Sequence, residues 1–255
     1  MSRKVITVPA IALIAALCAA GPVPAAEESG ENIAQIYHLV PIPGHEAAFE
    51  KGLRAHLDLH RRHGDTWTWT TWQVAVGEDV GSYYVHTGEH AWSDFDGMPE
   101  IPRDEQHVWE HISPHTASMS SFMTSMADDI TRWPADGPKA KMAEIVIFRL
   151  RPGMDRAFHH AIRRLHDAIV EKNLPMRYSF EWVVAGNRGP ELILAIPRAD
   201  WAAFRPMENS FWGAVEEVYG DFEAQMLRKL LGKSVAEQKN FVIVLREDLS
   251  LMPKN

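Results

Sequence analysis

Ten of the thirteen histidines fall between His38 and His115, so proton-transfer or metal chemistry in this chain would be weighted toward its first half. One of them, His86, lies in the stretch SYYVHT, where it alternates with Ser82 and Tyr84. On a strand that spacing puts the three on one face, and Thr68, Thr70, Trp72 and Val74 share the matching face of the preceding aromatic stretch. His86 is the candidate proton acceptor, since a pKa of about 6.5 lets both protonation states exist near neutrality. Trp72 and Tyr84 are candidates for stacking on a flat apolar ligand, with Thr70 as a directing polar group. Further along, Arg177, Ser179, Glu181, Val183, Glu191 and Ile193 form a second mixed face, of which Glu181 and Arg177 complete the candidate site. A satisfied core would use the same side chains. The opposite parity there is all apolar (Tyr178, Phe180, Trp182, Val184, Leu192, Leu194, Ile196) and is expected to lie against helices.

Other histidines have metal-ligand spacing. His56, His60 and His63 stand at i, i+4 and i+7, where neutral imidazoles could hold a metal or take a proton. Beyond Asp58 no carboxylate stands at matched spacing, so no metal site is expected. His107 and His111 flank Glu110 in HVWEH, but the glutamate is misplaced for a zinc-protease helix and no third ligand is indicated. His159, His160 and His166, with Arg163 among them, include a candidate haem ligand, or simply sit on the surface. Cofactor identity is not legible.

Several classes are excluded. No Ser or Thr stands in a nucleophile-elbow motif, and GEDVG and GNRG are hairpin turns, not phosphate loops. The single cysteine, Cys18, lies in a segment expected to be removed, which leaves no thiolate, disulfide or cysteine-ligated metal. Residues 1–26 read as a secretory signal: Arg3 and Lys4, a short apolar run, and a small-residue cleavage site near Ala25 or Ala26. A periplasmic or secreted location is the resulting expectation. Loss of those two cations takes the formal charge from −8 to −10, and an acidic chain without a basic block suits neither nucleic acid nor an anionic membrane.

The elements that must position these residues occur twice. AQIYHLVPIPGHEAAF (34–49) returns as AEIVIFRLRPGMDRAF (143–158), and the same spacing pairs Asp58 with Asp167, Gly77 with Gly186, Trp92 with Trp201 and Met98 with Met207. Each copy reads as strand, helix, hairpin, helical region and closing strand. In the first copy the helical region includes Met119, Phe122, Met123 and Met126 at helical spacing, and DITRWPAD serves as a short closing strand. In the second the helix runs from about Phe211 to Leu231, and NFVIVLRED closes. Asp200 is the expected N-cap of the turn at Trp201. The copies occupy 27–136 and 137–255.

The order strand, helix, strand, strand, helix, strand is the ferredoxin-like unit, whose four-stranded antiparallel sheet has helices on one face only. Its carriers here are the strand ending in Pro43-Gly44 or Pro152-Gly153, the helix opening on Phe49 or Phe158, the Gly-bounded hairpin, and the Trp92 or Trp201 turn. With these marks the chain resembles the dimeric α/β-barrel superfamily, in which two such units pack sheet against sheet, sometimes as tandem halves of one chain. The resemblance implies an α+β fold, two ferredoxin-like repeats forming an intramolecular α/β barrel. It also implies a range of activities: cofactor-free monooxygenases, haem-degrading enzymes, haem-binding chlorite dismutase-like and dye peroxidase-like proteins, and members with no known activity. No haem-ligand motif of those branches matches residue by residue.

Three functions therefore stand open: a small apolar or aromatic ligand bound between the sheets with oxygenase-type activity, a haem or metal protein, and an interaction domain without catalysis. If there is a pocket, the first copy is expected to carry it. Homo-oligomerisation is expected from an underprotected sheet edge beside the Pro-terminated closing strand of the first copy.

Overall fold

The structure, a computed structural model, describes residues 31–133, 140–186, 188–205 and 211–252. The expected leader (1–26) and the expected boundary at 136/137 lie outside these residues. Eight strands run in chain order: β1 (Ile33–Pro41), β2 (Thr70–Val76), β3 (Tyr83–His90), β4 (Thr116–Met126), β5 (Met142–Leu150), β6 (Ser179–Ala185), β7 (Glu191–Arg198) and β8 (Val235–Leu245). They close into one antiparallel barrel in the order β1-β3-β2-β8-β5-β7-β6-β4, with β4 returning to β1. Helices α1 (Glu46–Arg62), α2 (Trp92–Asp96), α3 (Asp104–His111), α4 (Asp155–Glu171) and α5 (Phe211–Ser234) complete the fold. Among the described residues no helix is long and apolar enough to cross a membrane.

The helices form because their apolar residues recur on one face. Phe49, Leu53 and Leu57 of α1 pack with Leu39, Tyr83 and Val85 of the strands, all buried. In α4 the same stripe is Phe158, Ile162, Leu165 and Ile169, against Phe180 and Leu192. Period-2 parity holds on the strands. Phe180, Trp182, Leu192, Leu194 and Ile196 meet the helices as expected, whereas Val184 is 45% exposed near the end of β6. The opposite face forms a third cluster inside the barrel: Val74, Ala143, Phe241 and Ile243, with Trp72, Tyr84, Ile145 and Ile147 around them. Asp200 caps the turn at Trp201 by accepting the Ala203 N–H at 3.0 Å.

Two expectations fail. The residues Met119, Phe122, Met123 and Met126 lie on β4, and β4, not DITRWPAD, closes the first half. Of DITRWPAD, Asp129 and Ile130 belong to a 3-10 turn, Arg132 makes one bridge to Tyr178, and 134–136 lie outside the described residues. The reason is a change of spacing. β1 to β5 (33 to 142), α1 to α4 (46 to 155) and β2 to β6 (70 to 179) all step by 109, but β4 to β8 (116 to 235) steps by 119. The helical region before the last strand is ten residues longer in the second half, so a constant step of 109 misplaces the closing strand of the first.

The second failure concerns the sheet edge. Each half orders its strands alike (β4-β1-β3-β2 and β8-β5-β7-β6), but the two sheets do not stack as separate layers. They join edge to edge at β2–β8 and β4–β6, where backbone groups that would be unpaired at an edge find partners. The edge on which self-association was argued is therefore consumed in closing the barrel.

Candidate functional site

Hydrogen-bond register places the predicted residues. His86 pairs with Thr70 on one side and Ile36 on the other, and Tyr84 pairs with Trp72 and His38, so all six side chains share the barrel interior. Thr70 is the hub of a small network. Its Oγ1 accepts the indole N–H of Trp72 at 3.2 Å and lies 3.5 Å from Nδ1 of His86. The His86 ring occupies the space over Gly88, where a Cβ would stand 2.8 Å from Cε1. Burial pushes the His86 pKa down, against an upward pull from Glu181 and Glu89, so the ring is held neutral. Glu181 also faces the interior and accepts a hydrogen bond from Thr124 Oγ1 at 2.7 Å. Arg177 is not part of the site. It precedes β6, is exposed, and donates to the neighbouring carbonyl of Met176.

Open space lies elsewhere in the interior than expected. A cavity of about 100 Å³ sits at one end of the barrel, walled by Val74, Tyr84 and Phe241 and rimmed by Glu78, Asp79, Gln238, Lys239 and Asn240. Tyr84 alone of the predicted residues lines it. Trp72 and His86, both partly buried, do not line this cavity.

The histidine nearer this end is His38, which the strand pattern of β1 did not single out. Its ring lies on Tyr84, with centroids 4.4 Å and planes 11° apart, and Tyr84 in turn stacks on Phe241 at 5.5 Å and 14°. Nε2 of His38 is 3.0 Å from Ser82 Oγ. Burial lowers its pKa, partly offset by Asp79, with Lys239 acting in the downward sense. Tyr84 is held well above its usual phenolic range by burial, next by Asp79, so its hydroxyl stays a neutral donor; among the described residues it has no hydrogen-bond partner. The parity of β1 could have found His38, since Ala34, Ile36 and His38 alternate like the interior residues of β3.

The inner face of the second half is plainer. The residues 109 positions beyond His38, Trp72, Tyr84 and His86 are Ile147, Glu181, Ile193 and Ala195. At these four positions rings and imidazoles stand only in the first half; the second half contributes the interior ring of Phe241 from β8.

His56 and His60 are not in the barrel but on its helical side, beside α3. In the second half, His159 Nε2 lies 2.9 Å from Asp129 and His166 Nδ1 3.1 Å from the Tyr178 hydroxyl.

No family model and no curated protein matches the sequence. Solved structures do match in shape. An anthrone oxidase-like protein superposes with a TM-score of 0.55 at 11% identity, covering 86% of this chain and 93% of its own. A protein assigned as a monooxygenase, from Lactobacillus acidophilus NCFM, gives 0.52 at 8% identity, covering 86% and 95%. Another assigned as a chlorite dismutase gives 0.52 at 10% identity, covering 86% and 96%. At such identities the likeness shows the fold alone: an antiparallel eight-stranded α+β barrel.

Proposed function

We propose that this chain is an exported binding protein for a small aromatic ligand of single-ring size, held at the end of the barrel by Val74, Tyr84 and Phe241. One observation carries the reading: the interior has an open, ring-lined space bordered by polar groups. Its volume, about 100 Å³, is of the order of the ~150 Å³ apolar cavity that takes up benzene. The Tyr84 hydroxyl and the Asp79 and Lys239 side chains supply directing contacts, so a ring carrying a hydroxyl or carboxyl group fits best. His38, neutral near pH 7, is the group that would accept a proton from a bound phenol if the site performs oxygenase-type turnover. The chain is read as a tandem of two ferredoxin-like units that build the site jointly, Val74 and Tyr84 coming from the first and Phe241 and Lys239 from the second, so the expectation that the first copy carries the pocket holds only in part.

Of the second-half histidines, His159 and His166 are engaged by Asp129 and Tyr178, while His160 borders a separate cavity of about 240 Å³ beside Met226, Leu227 and Leu230.

Amide chemical-shift mapping with phenol and benzoate tests the reading. Shifts should centre on Val74, Tyr84 and Phe241, and Val74→Trp, which fills the space, should remove them. No shifts at millimolar ligand, or shifts unchanged by Val74→Trp, would sink it.

A further inference from the structure

A second collection of reactive groups lies outside the barrel, between α1 and α3. Nε2 of His60 is 3.2 Å from Nε2 of His56 and 2.9 Å from Oδ1 of Asp104, and His56 Nε2 is 3.5 Å from that same oxygen. Two donors bound at about 2.1 Å to one ion stand roughly 3.0 Å apart at an octahedral angle and roughly 3.4 Å apart at a tetrahedral one. All three separations fall close to that range. Asp104 is forty-four residues from His60 in sequence, which is why no spacing pattern shows it.

The surroundings orient the donors. Nδ1 of His60 lies 2.7 Å from Oδ2 of buried Asp65, which also accepts the Trp69 indole N–H at 2.9 Å, while Asp65 Oδ1 accepts the backbone N–H of Trp67 at 2.8 Å. A carboxylate that accepts a hydrogen bond from Nδ1–H leaves the Nε2 lone pair facing the other two donors, the usual support of a metal-binding histidine. Gly52 lets α3 approach: a Cβ there would stand 2.0 Å from the carbonyl oxygen of His111, so the backbone of α3 rests directly on α1.

The second half shows what packing alone would choose. The residues 109 positions beyond His56, His60 and Asp65 are Leu165, Ile169 and Leu174, all buried in the core. Polar groups in such places cost stability unless they are paired, and here they are held by one another, by Asp104 and by the Trp67 and Trp69 N–H groups.

We propose that His56, His60 and Asp104 bind a divalent first-row transition ion of the zinc type, with Asp65 as the positioning residue. Two imidazoles and one carboxylate select such an ion over magnesium or calcium, which take oxygen ligands. Three protein ligands leave a coordination position for water, and it opens on the solvent side, where the Asp104 side chain is 45% exposed against 13% and 10% for the histidines. A further donor close by is His107, whose ring centroid is 5.5 Å from that of His56 and whose buried Nδ1 has no partner among the described residues. This site is independent of the barrel cavity.

Calorimetric titration of the chelator-treated chain with Zn²⁺, and the visible spectrum with Co²⁺, test the site. One Zn²⁺ per chain is expected, together with d–d absorption from Co²⁺. His56→Ala and Asp104→Asn should each weaken binding at least tenfold and remove the bands. Asp104 is half exposed, so Asp104→Asn should keep the melting temperature of the parent. His115→Ala, which breaks the exposed His45–His115 pair 3.2 Å apart, should change neither signal. Absence of a site, binding that survives both ligand substitutions, or binding lost in His115→Ala would overturn the proposal.

Discussion

Arg246 grips the carboxylate of Glu50 with both terminal nitrogens, at 2.6 and 2.9 Å, from 196 residues away. The Tyr83 hydroxyl donates to the same carboxylate at 2.6 Å, so α1, β3 and the end of the chain meet on one acidic group. Both partners are more than three-quarters buried, and charged hydrogen bonds of this kind contribute about 1.5–3 kcal/mol. Arg246→Ala is expected to cost about 2 kcal/mol, read as a lower urea midpoint at unchanged slope.

Acid should act on the same contact. Arg246 holds the Glu50 carboxyl below its usual range and Asp248 down at about 2. Carboxylates with depressed folded pKa values add stability that is present above their unfolded values, near 4, and is lost as pH falls through the folded ones. Stability should therefore drop between about pH 4 and 2, and Arg246→Ala should flatten that drop. Denaturation curves recorded across the interval decide the matter.

Two glycines guard the seams of the barrel. Gly186 has φ 85°, and a Cβ there would stand 2.6 Å from the Ser121 carbonyl oxygen; Gly77 has φ 136° and would meet Phe241 Cβ at 2.6 Å. Alanine at either position combines a left-handed penalty with a backbone or core clash, about 2–4 kcal/mol together. Gly44→Ala, with φ 85° and nothing within 4 Å, should cost only about 1 kcal/mol. Equal melting temperatures for Gly186→Ala and Gly44→Ala would refute the steric account.

The interior histidines are expected to resist protonation. Burial lowers the pKa of both His38 and His86, so their neutral forms favour the fold. The stability they add is present above the unfolded value of about 6.5 and is lost as pH falls through the lower folded values. Nitrogen-15 NMR should show both rings less protonated than a free imidazole at the same pH, and a protonated fraction equal to or above that of free histidine would contradict the packing described.

Much of the barrel was legible because helices and strands enforce different periods. The stripe Phe49, Leu53, Leu57 and the alternation around Tyr84 each admit one solution. β4 was not, since Met119, Phe122, Met123 and Met126 satisfy a helical spacing as well as a strand in which Ser120 and Ser121 separate the first two and Thr124 and Ser125 the last two. Only pairing with β1 decides between the two, and that contact is made at a distance along the chain. The same limit hid Asp104 from His60. His38 was missed for another reason: its strand has apolar residues on both faces, so polarity alone does not mark the inner one.

The seams give the fold an order in time. Trp69 finds its backbone partner in Leu251, and β2 finds its neighbour in β8, so the first half made remains open along one side until almost the last residue exists. Pairings this distant in sequence close slowly. A chain released early, short of β8, would present β2 and β5 to whatever strand came next, and the surest candidate is β8 from a second chain.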